Sequence, residues 1–170
     1  LKGYGLEAGS VSAHCDLTKK KGVEYLKKAI DFAKSISALV VNTGVGEADS
    51  PEGESAFYEN MKELSKYAKE KGIFIGLETH GSILGTGEAG LEVMKQVNSP
   101  SVRINYDTAN VIYYAGVRPE EDIHKIIDYI AHLHLKDKIG GKRVWNFPPL
   151  GKGEIDFKVI FDALEKKGFS

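Results

Sequence analysis

Ile73-Phe74-Ile75-Gly76-Leu77-Glu78-Thr79-His80 is an apolar run of strand length that ends in charged and polar side chains. It begins directly after Lys69-Glu70-Lys71-Gly72, a lysine-rich turn followed by glycine, which is typical of the end of a helix. Residues two apart on a strand point to the same face, so Glu78 and His80 share a face with Gly76. The segment therefore predicts a buried strand that presents Glu78 and His80 near its carboxyl end.

Strand-like and helix-like segments alternate along the whole chain. We predict strands near residues 5–13, 38–42, 73–79, 102–107 and 130–135. Helical patterns cover residues 21–35, 55–71, 88–97, 119–129 and 156–167. The strands recur about every 30 residues, which is the period of repeated βα units around a parallel sheet. No linker or low-complexity tract interrupts this pattern, so we expect a single domain over residues 1–170.

The polar residues of the strands decide between two parallel-sheet folds. Four predicted strands carry polar side chains on one parity: Ser10, Ser12 and His14; Glu78 and His80; Arg103, Asn105 and Asp107; His132 and His134. In an open sheet these side chains would be buried against helices, which is costly for every unpaired charge. In a barrel they converge on one interior and reach the carboxyl ends of the strands, where barrel enzymes build their sites. We therefore predict an α/β fold, the parallel (β/α)8 TIM barrel.

Composition excludes several classes of partner. The chain has a net charge of -1, and its only arginines are Arg103, Arg118 and Arg143, so there is no basic stripe for nucleic acid. No apolar run approaches the ~18–20 residues of a membrane span. The lone Cys15 excludes an internal disulfide and fits a reducing compartment, so we expect a cytoplasmic protein. We expect neither nucleic acid nor a membrane as a partner, and assembly into a homo-oligomer is possible.

Glu78, Asp107 and His134 lie near the ends of three separate strands, on the inward parity. Two carboxylates and an imidazole suit a divalent ion such as Mn, Mg, Co or Zn, with open positions for substrate oxygens. Taken alone, Asp107 is about equally consistent with capping the helical turn that follows. For His132 we favour a hydrogen-bonded interior role. Because burying Glu78 and Asp107 together without a cation would be repulsive, the set predicts a catalytic metal site.

Four short motifs occur in order along the chain: Leu77-Glu78-Thr79-His80-Gly81, Asp107-Thr108-Ala109-Asn110, His132-Leu133-His134-Leu135-Lys136-Asp137 and Pro149-Leu150-Gly151-Lys152-Gly153-Glu154-Ile155-Asp156-Phe157. Their order and spacing resemble the xylose isomerase-like TIM-barrel superfamily, which includes sugar isomerases, ketose 3-epimerases, hydroxypyruvate isomerases, inosose dehydratases and type IV AP endonucleases. The resemblance implies that the predicted strands are about the third to the seventh of the barrel. We therefore expect a partial barrel, truncated at both ends, and the lack of an initiator Met agrees with this.

The resemblance also implies a chemistry. It assigns the divalent metal to Glu78, Asp107 and His134, leaves a fourth ligand beyond the chain, and makes Glu78 the catalytic base. The implied activity is that of a metal-dependent sugar isomerase or epimerase, which abstracts a proton next to a carbonyl through a metal-stabilised enediolate. The substrate would be a small sugar or keto-polyol. Two alternatives are a dehydratase or lyase acting on a keto-polyol, as inosose dehydratases do, and a non-catalytic sugar-binding domain.

Departures from the family pattern concern the substrate contacts. Ketose 3-epimerases carry a histidine where this chain has Asn110 and an arginine where it has Gly140. Lys142 or Arg143 would have to replace that arginine. The AP endonuclease histidines are absent from Asn42-Thr43-Gly44, which disfavours DNA repair. We expect five residues to contact substrate: His14, His80, Asn110, Lys136 and Arg143.

The loop over residues 138–153 leaves two further questions open. Trp145 and Phe147 are about equally consistent with a lid over substrate and with the packing core of their own loop. Lys136 and Asp137 could contact substrate or form an ion pair at the rim of the site, again with about equal support.

Overall fold

A curled sheet of five parallel strands forms the centre of the molecule in the computed structural model, which describes residues 2–81 and 83–169. The strands are Ser10–Ser12 (β1), Val40–Thr43 (β2), Phe74–Glu78 (β3), Val102–Asp107 (β4) and Ile130–His134 (β5). They pair in chain order, and each neighbouring pair is parallel. This is the topology of part of a TIM barrel, so the predicted fold class is confirmed.

Helices follow the strands as the βα pattern predicts. The α-helices are Lys20–Ser35 (α1), Pro51–Lys71 (α2), Gly87–Val97 (α3), Asn110–Ala115 (α4), Pro119–Asp122 (α5) and Phe157–Lys166 (α6). Short 3-10 turns occupy Lys2–Tyr4, Ile123–Lys125 and Ile127–Tyr129. None of the helices in the described ranges is both long and apolar enough to cross a membrane.

Two predicted elements are much shorter in the structure than the sequence analysis expects. The helix predicted over residues 119–129 is broken at Ile126, whose φ of -129° lets the chain turn into β5, so only α5 and two 3-10 turns remain. The first strand is shorter than the predicted 5–13, because Gly5 adopts a left-handed φ of 66° and pairing with β2 begins only at Ser10. The short helix α4, directly after β4, was not predicted.

The core lies between the sheet and the apolar faces of the long helices. The predicted inward residues of α1 are buried, and so are those of α2: Val23, Leu26, Ile30, Ala33, Phe57, Met61, Leu64 and Ala68. Ser50 caps α2 by accepting a hydrogen bond from the Gly53 N–H, and Gly72 ends that helix with a left-handed φ of 69°. The Gly72 signal therefore places the start of β3 where the sequence predicts it, whereas the Ser50 cap starts α2 at Pro51, before the predicted start at residue 55.

The strand register aligns the functional residues at one edge of the sheet. Glu78 of β3 pairs with Asn105 of β4, and Asp107 pairs with His134 of β5. The register with β5 shifts after Ile104, leaving one unpaired residue in β5, Ala131, so that His132 lies opposite Asn105. The carboxyl ends of β3, β4 and β5 thus present their polar side chains to one another.

Candidate metal centre and active site

The three predicted metal ligands converge at the carboxyl ends of β3, β4 and β5. One donor atom from each of Glu78, Asp107 and His134 lies within 4.8 Å of the others. His134 Nδ1 is 3.3 Å from Glu78 Oε1 and 3.1 Å from Asp107 Oδ2. Both carboxylates are buried, whereas the imidazole is exposed on its outer side. The structure therefore brings together the set that the sequence identified, and metal binding by this set stays a prediction.

Asp107 divides its two oxygens between two tasks. Oδ1 accepts hydrogen bonds from the Ala109 and Asn110 N–H groups, at 2.9 and 2.8 Å, at the start of α4. Oδ2 is fully buried, and no donor in the described part of the chain is aligned to give it a hydrogen bond. Both interpretations of Asp107 are therefore consistent with the structure, one at each oxygen. A buried carboxylate oxygen without a donor fits a cation ligand.

The pKa values show how the three groups depend on one another. Burial raises the pKa of Asp107 above its usual value, although Lys136 and the Asn110 N–H oppose the rise. Burial also works to raise the pKa of Glu78, but the hydrogen bond and charge of His134, with the charge of His14, leave it lowered. The hydrogen bond to Glu78 raises the pKa of His134 against the effect of burial. The site thus attracts positive charge, which a divalent cation would supply.

Amide and imidazole groups hold the carboxylate of Glu78 in place. Asn105 Nδ2 donates to Oε2 at 3.2 Å, and Asn110 Nδ2 lies 3.3 Å from Oε1 as a second donor. His14 Nε2 lies 3.1 Å from Oε2. The carboxylate therefore has neighbours on both oxygens while it still faces His134.

Asn105 also connects Glu78 to the interior of the barrel. Its Oδ1 lies 2.9 Å from His132 Nδ1, and His132 Nε2 lies 3.0 Å from Ser10 Oγ. The interior, hydrogen-bonded role predicted for His132 is therefore confirmed. Asn105 itself was not singled out as functional, although its inward parity was visible in the sequence.

Two cavities that share lining residues adjoin the centre. The smaller cavity has a volume of about 310 Å³ and is bordered by Glu78. Four predicted substrate contacts line it: His14, His80, Asn110 and Lys136. Its remaining lining is aromatic: Tyr113, Tyr114, Trp145 and Phe147. A larger cleft of about 1080 Å³ shares Glu78, His14 and His80 with it and includes Arg143, the fifth predicted contact. The structure thus places all five around two cavities that both border Glu78, while their contact with substrate stays a prediction.

Lys136 and Asp137 are neighbours in sequence but have different roles. Lys136 Nζ lies 3.0 Å from Asn110 Oδ1, 3.6 Å from Asp107 Oδ2 and 4.3 Å from the centre of the Phe147 ring. Asp137 is buried, and its oxygens accept hydrogen bonds from four backbone N–H groups, those of Lys138, Gly151, Gly153 and Ile155. Both interpretations of Asp137 were therefore wrong, because its carboxylate organises the loop that follows β5.

Aromatic side chains form one wall of the smaller cavity. Trp145 and Phe147 lie 5.0 Å apart between ring centres, and Tyr113 of α4 lies within 6 Å of both. Trp145 is 79% exposed, which excludes it as a packing core for its own loop. Tyr114 Oη is 2.5 Å from His80 Nε2. Sequence reasoning missed both tyrosines, because their position depends on α4, the helix that was not predicted.

Comparison with known proteins agrees with this architecture. A family model described as xylose isomerase-like TIM barrel matches residues 2–170. The chain is 29% identical to an L-ribulose 3-epimerase from Methylomonas sp. (strain DH-1), over 98% of this chain and 62% of that protein. It is 31% identical to an inosose dehydratase from Histophilus somni (strain 129Pt), over 64% of this chain and 42% of that protein. The chain thus spans less than two thirds of these relatives.

Solved structures show the same fold. A xylose isomerase domain protein from Planctomyces limnophilus superposes with a TM-score of 0.86 at 21% identity, over 99% of this chain and 70% of that one. A D-allulose 3-epimerase from Methylomonas sp., solved in complex with D-allulose, superposes with a TM-score of 0.76 at 28% identity, over 98% and 62%. With the family model matching almost every residue, the chain belongs to the xylose isomerase-like TIM-barrel family.

Proposed function

We propose that the protein is a divalent-metal-dependent sugar isomerase or epimerase that removes a proton from a carbon next to a carbonyl. The observation that carries this proposal is the convergence of Glu78, Asp107 and His134, with one buried oxygen of Asp107 left without a hydrogen bond. The relatives named above include a sugar epimerase, and one structural relative was solved with a sugar bound. These similarities support a small sugar or keto-polyol as substrate.

Glu78, Asp107 and His134 would hold the metal, which would polarise the substrate carbonyl when bound. Glu78 is the proposed base, since its carboxylate borders both cavities and its lowered pKa keeps it unprotonated near neutral pH. Asn105 and Asn110 fix its orientation. Lys136 supplies a cation beside Asn110, suited to stabilise negative charge that develops on the enediolate oxygens.

A dehydratase acting on a keto-polyol is the second candidate. The similarity to inosose dehydratases favours it, and its first step would be the same proton abstraction. The two activities differ only afterwards, because a dehydratase expels a β-hydroxyl as water whereas an epimerase returns the proton. Product mass therefore separates them.

The test uses the full-length protein with L-ribulose and an inosose as substrates in deuterated water. We expect Mn to bind the chelator-treated protein in calorimetric titration and to restore deuterium incorporation measured by mass spectrometry. Glu78→Gln should lower incorporation at least ~1000-fold, because both a ligand and the base are lost. Glu70→Gln, on an exposed turn of α2, is the matched control and should retain activity.

Two results would contradict the proposal. Activity of Glu78→Gln that does not depend on metal would remove Glu78 from the reaction. Sugar binding by the metal-loaded protein without any deuterium exchange would instead indicate a non-catalytic sugar-binding domain.

A further inference from the structure

Arg143 occupies an unusual backbone position beside the larger cleft. The Val144 N–H donates to the Gly141 carbonyl at 3.2 Å, which closes a four-residue turn with Arg143 in its third position. Arg143 has a φ of 62°, in the left-handed region where a turn of this kind favours glycine. A bulky residue held in such a conformation suggests a functional constraint.

The loop around Arg143 is held firmly in place. The Arg143 N–H donates to the Tyr113 carbonyl at 3.0 Å. Lys138, a buried residue, directs its ammonium at the carbonyls of Ile139, Gly140 and Val144, at 3.1, 3.0 and 2.7 Å. The turn that carries Arg143 is therefore anchored on both sides, which fixes the backbone from which its exposed side chain extends.

The guanidinium is positioned without an acidic partner. It lies 5.5 Å from the ring centre of Tyr113 and 5.2 Å from that of Tyr114. Within the described ranges, no carboxylate lies within ion-pair distance of it. Arg143 and Lys142 both line the cleft that contains Glu78. A guanidinium that lies over two tyrosine rings beside the cleft, with no carboxylate partner, suits a carboxylate or phosphate.

The cleft carries opposite charges on different walls, which would orient a bound ligand. Asp16 and Asp49, from the loops after β1 and β2, line the same cleft as Arg143. Asp16 Oδ1 already accepts three hydrogen bonds, from the Thr18 and Glu47 N–H groups and the Thr18 hydroxyl. Carboxylates at that wall disfavour an anion and can accept hydrogen bonds from hydroxyl groups. The two walls thus differ in the groups that they would accept.

We infer that the substrate carries an anionic group, a phosphate or a carboxylate, which binds Arg143, while its hydroxyl groups face Asp16 and Asp49. This inference rests on the proposed function, because only that function makes the bound ligand a substrate. It restricts the substrate class to sugar phosphates or sugar acids. Neutral ketoses then bind more weakly, because they leave the guanidinium without a partner.

Binding to the metal-free, full-length protein tests the inference without depending on turnover. Dissociation constants are measured by ligand-detected NMR for L-ribulose, L-ribulose 5-phosphate and D-glucuronate. We expect at least one anionic ligand to bind about 10-fold or more tightly than L-ribulose, with a preference that weakens as salt is added. Preference for the phosphorylated ligand identifies a phosphate site, and preference for glucuronate identifies a carboxylate site.

Arg143→Gly is the decisive variant, since glycine suits the turn and the thermal midpoint should not fall. It should weaken binding of the preferred anion about 10- to 100-fold and leave L-ribulose within about 3-fold. Arg143→Lys should recover part of the loss, and Lys28→Gln, an exposed cation on α1, should bind as the unaltered protein does. Equal binding of all three ligands, or unchanged anion binding in Arg143→Gly, would overturn the inference.

The outcome is separable from that of the proposed function. If Arg143→Gly loses anion binding but the unaltered protein shows no deuterium exchange with any ligand, the anion site stands and the proposed reaction fails. If exchange occurs with neutral sugars and Arg143→Gly changes nothing, the reaction stands and the inference fails.

Discussion

Two buried aspartates, at the end of β4 and in the loop after β5, use their carboxylates in opposite ways. Asp107 is 0% exposed and Asp137 is 1% exposed. The loop satisfies both oxygens of Asp137 with four backbone N–H groups, whereas β4 leaves Asp107 Oδ2 without one. Burial acts to raise the pKa of both carboxylates. The pKa of Asp107 is raised, whereas the backbone hydrogen bonds of Asp137 leave its pKa lowered.

This difference separates a structural carboxylate from a candidate ligand. Backbone donors give Asp137 everything that its charge requires, so it stabilises the loop. Asp107 accepts hydrogen bonds at one oxygen only, and the other has ion-pair neighbours, His134 and Lys136, that do not offset its burial, since the pKa of Asp107 stays raised. Burial alone does not distinguish the two, but the number of donors does.

The largest expected effect is the loss of metal binding in Asp107→Asn. Replacing the charged oxygen should weaken Mn binding at least ~1000-fold in calorimetric titration. The amide removes an incompletely stabilised buried charge, so the unfolding free energy of the metal-free protein should change by no more than about 1 kcal/mol. A large loss of stability with intact metal binding would show that Asp107 is structural, like Asp137.

Gly153→Ala should have the next largest effect, because it crowds the donors around Asp137. A Cβ at Gly153 would lie 2.1 Å from Asp137 Oδ1 and 2.7 Å from the Lys138 carbonyl oxygen. We expect a loss of about 3 kcal/mol in urea unfolding. Gly141→Ala, where a Cβ would meet nothing within 4 Å, is the control and should stay within about 1 kcal/mol. Equal effects of the two would mean that the loop moves freely around Asp137.

Asp137→Asn should cost about 2 kcal/mol at neutral pH, because the amide nitrogen would face N–H donors. The folded-state pKa of Asp137 is lowered, so its stabilisation is complete above the unfolded value, about 4, and is lost as pH falls through the folded value. The stability difference between the variant and the unaltered protein should therefore shrink in acid. Urea unfolding at pH 7 and pH 3 measures this, and a difference independent of pH would contradict it.

The sequence was sufficient for the fold and for the convergence of the three candidate ligands. Period-2 alternation placed Glu78 and Asp107 on the inward face, and the structure confirms that they converge with His134. The glycine signal at Gly72 located the end of α2, whereas the Ser50 cap was not recognised and the helix begins at Pro51 rather than at residue 55.

The parts that sequence reasoning missed depend on contacts between distant residues. The four donors of Asp137 come from a loop whose path is set by packing, so its neighbour Lys136 was no guide to its role. Tyr113 and Tyr114 reach the cavities through α4, a helix of six residues that is too short for a helical pattern in the sequence to identify. Asn105 contacts Glu78 through its regular pairing with β3 and His132 through the shifted pairing with β5, and a single strand read alone shows neither contact.

The orientation of the Asn105 side-chain amide determines which ring nitrogen of His132 carries its hydrogen. Its nitrogen must face the Glu78 carboxylate, which only accepts, so its oxygen faces His132 and needs a donor there. His132 must therefore carry its hydrogen on Nδ1, and its Nε2 must accept the hydroxyl hydrogen of Ser10. Burial lowers the pKa of His132, in keeping with this neutral tautomer. The interior of the barrel thus contains a polarised row of hydrogen bonds that all point from β1 towards Glu78.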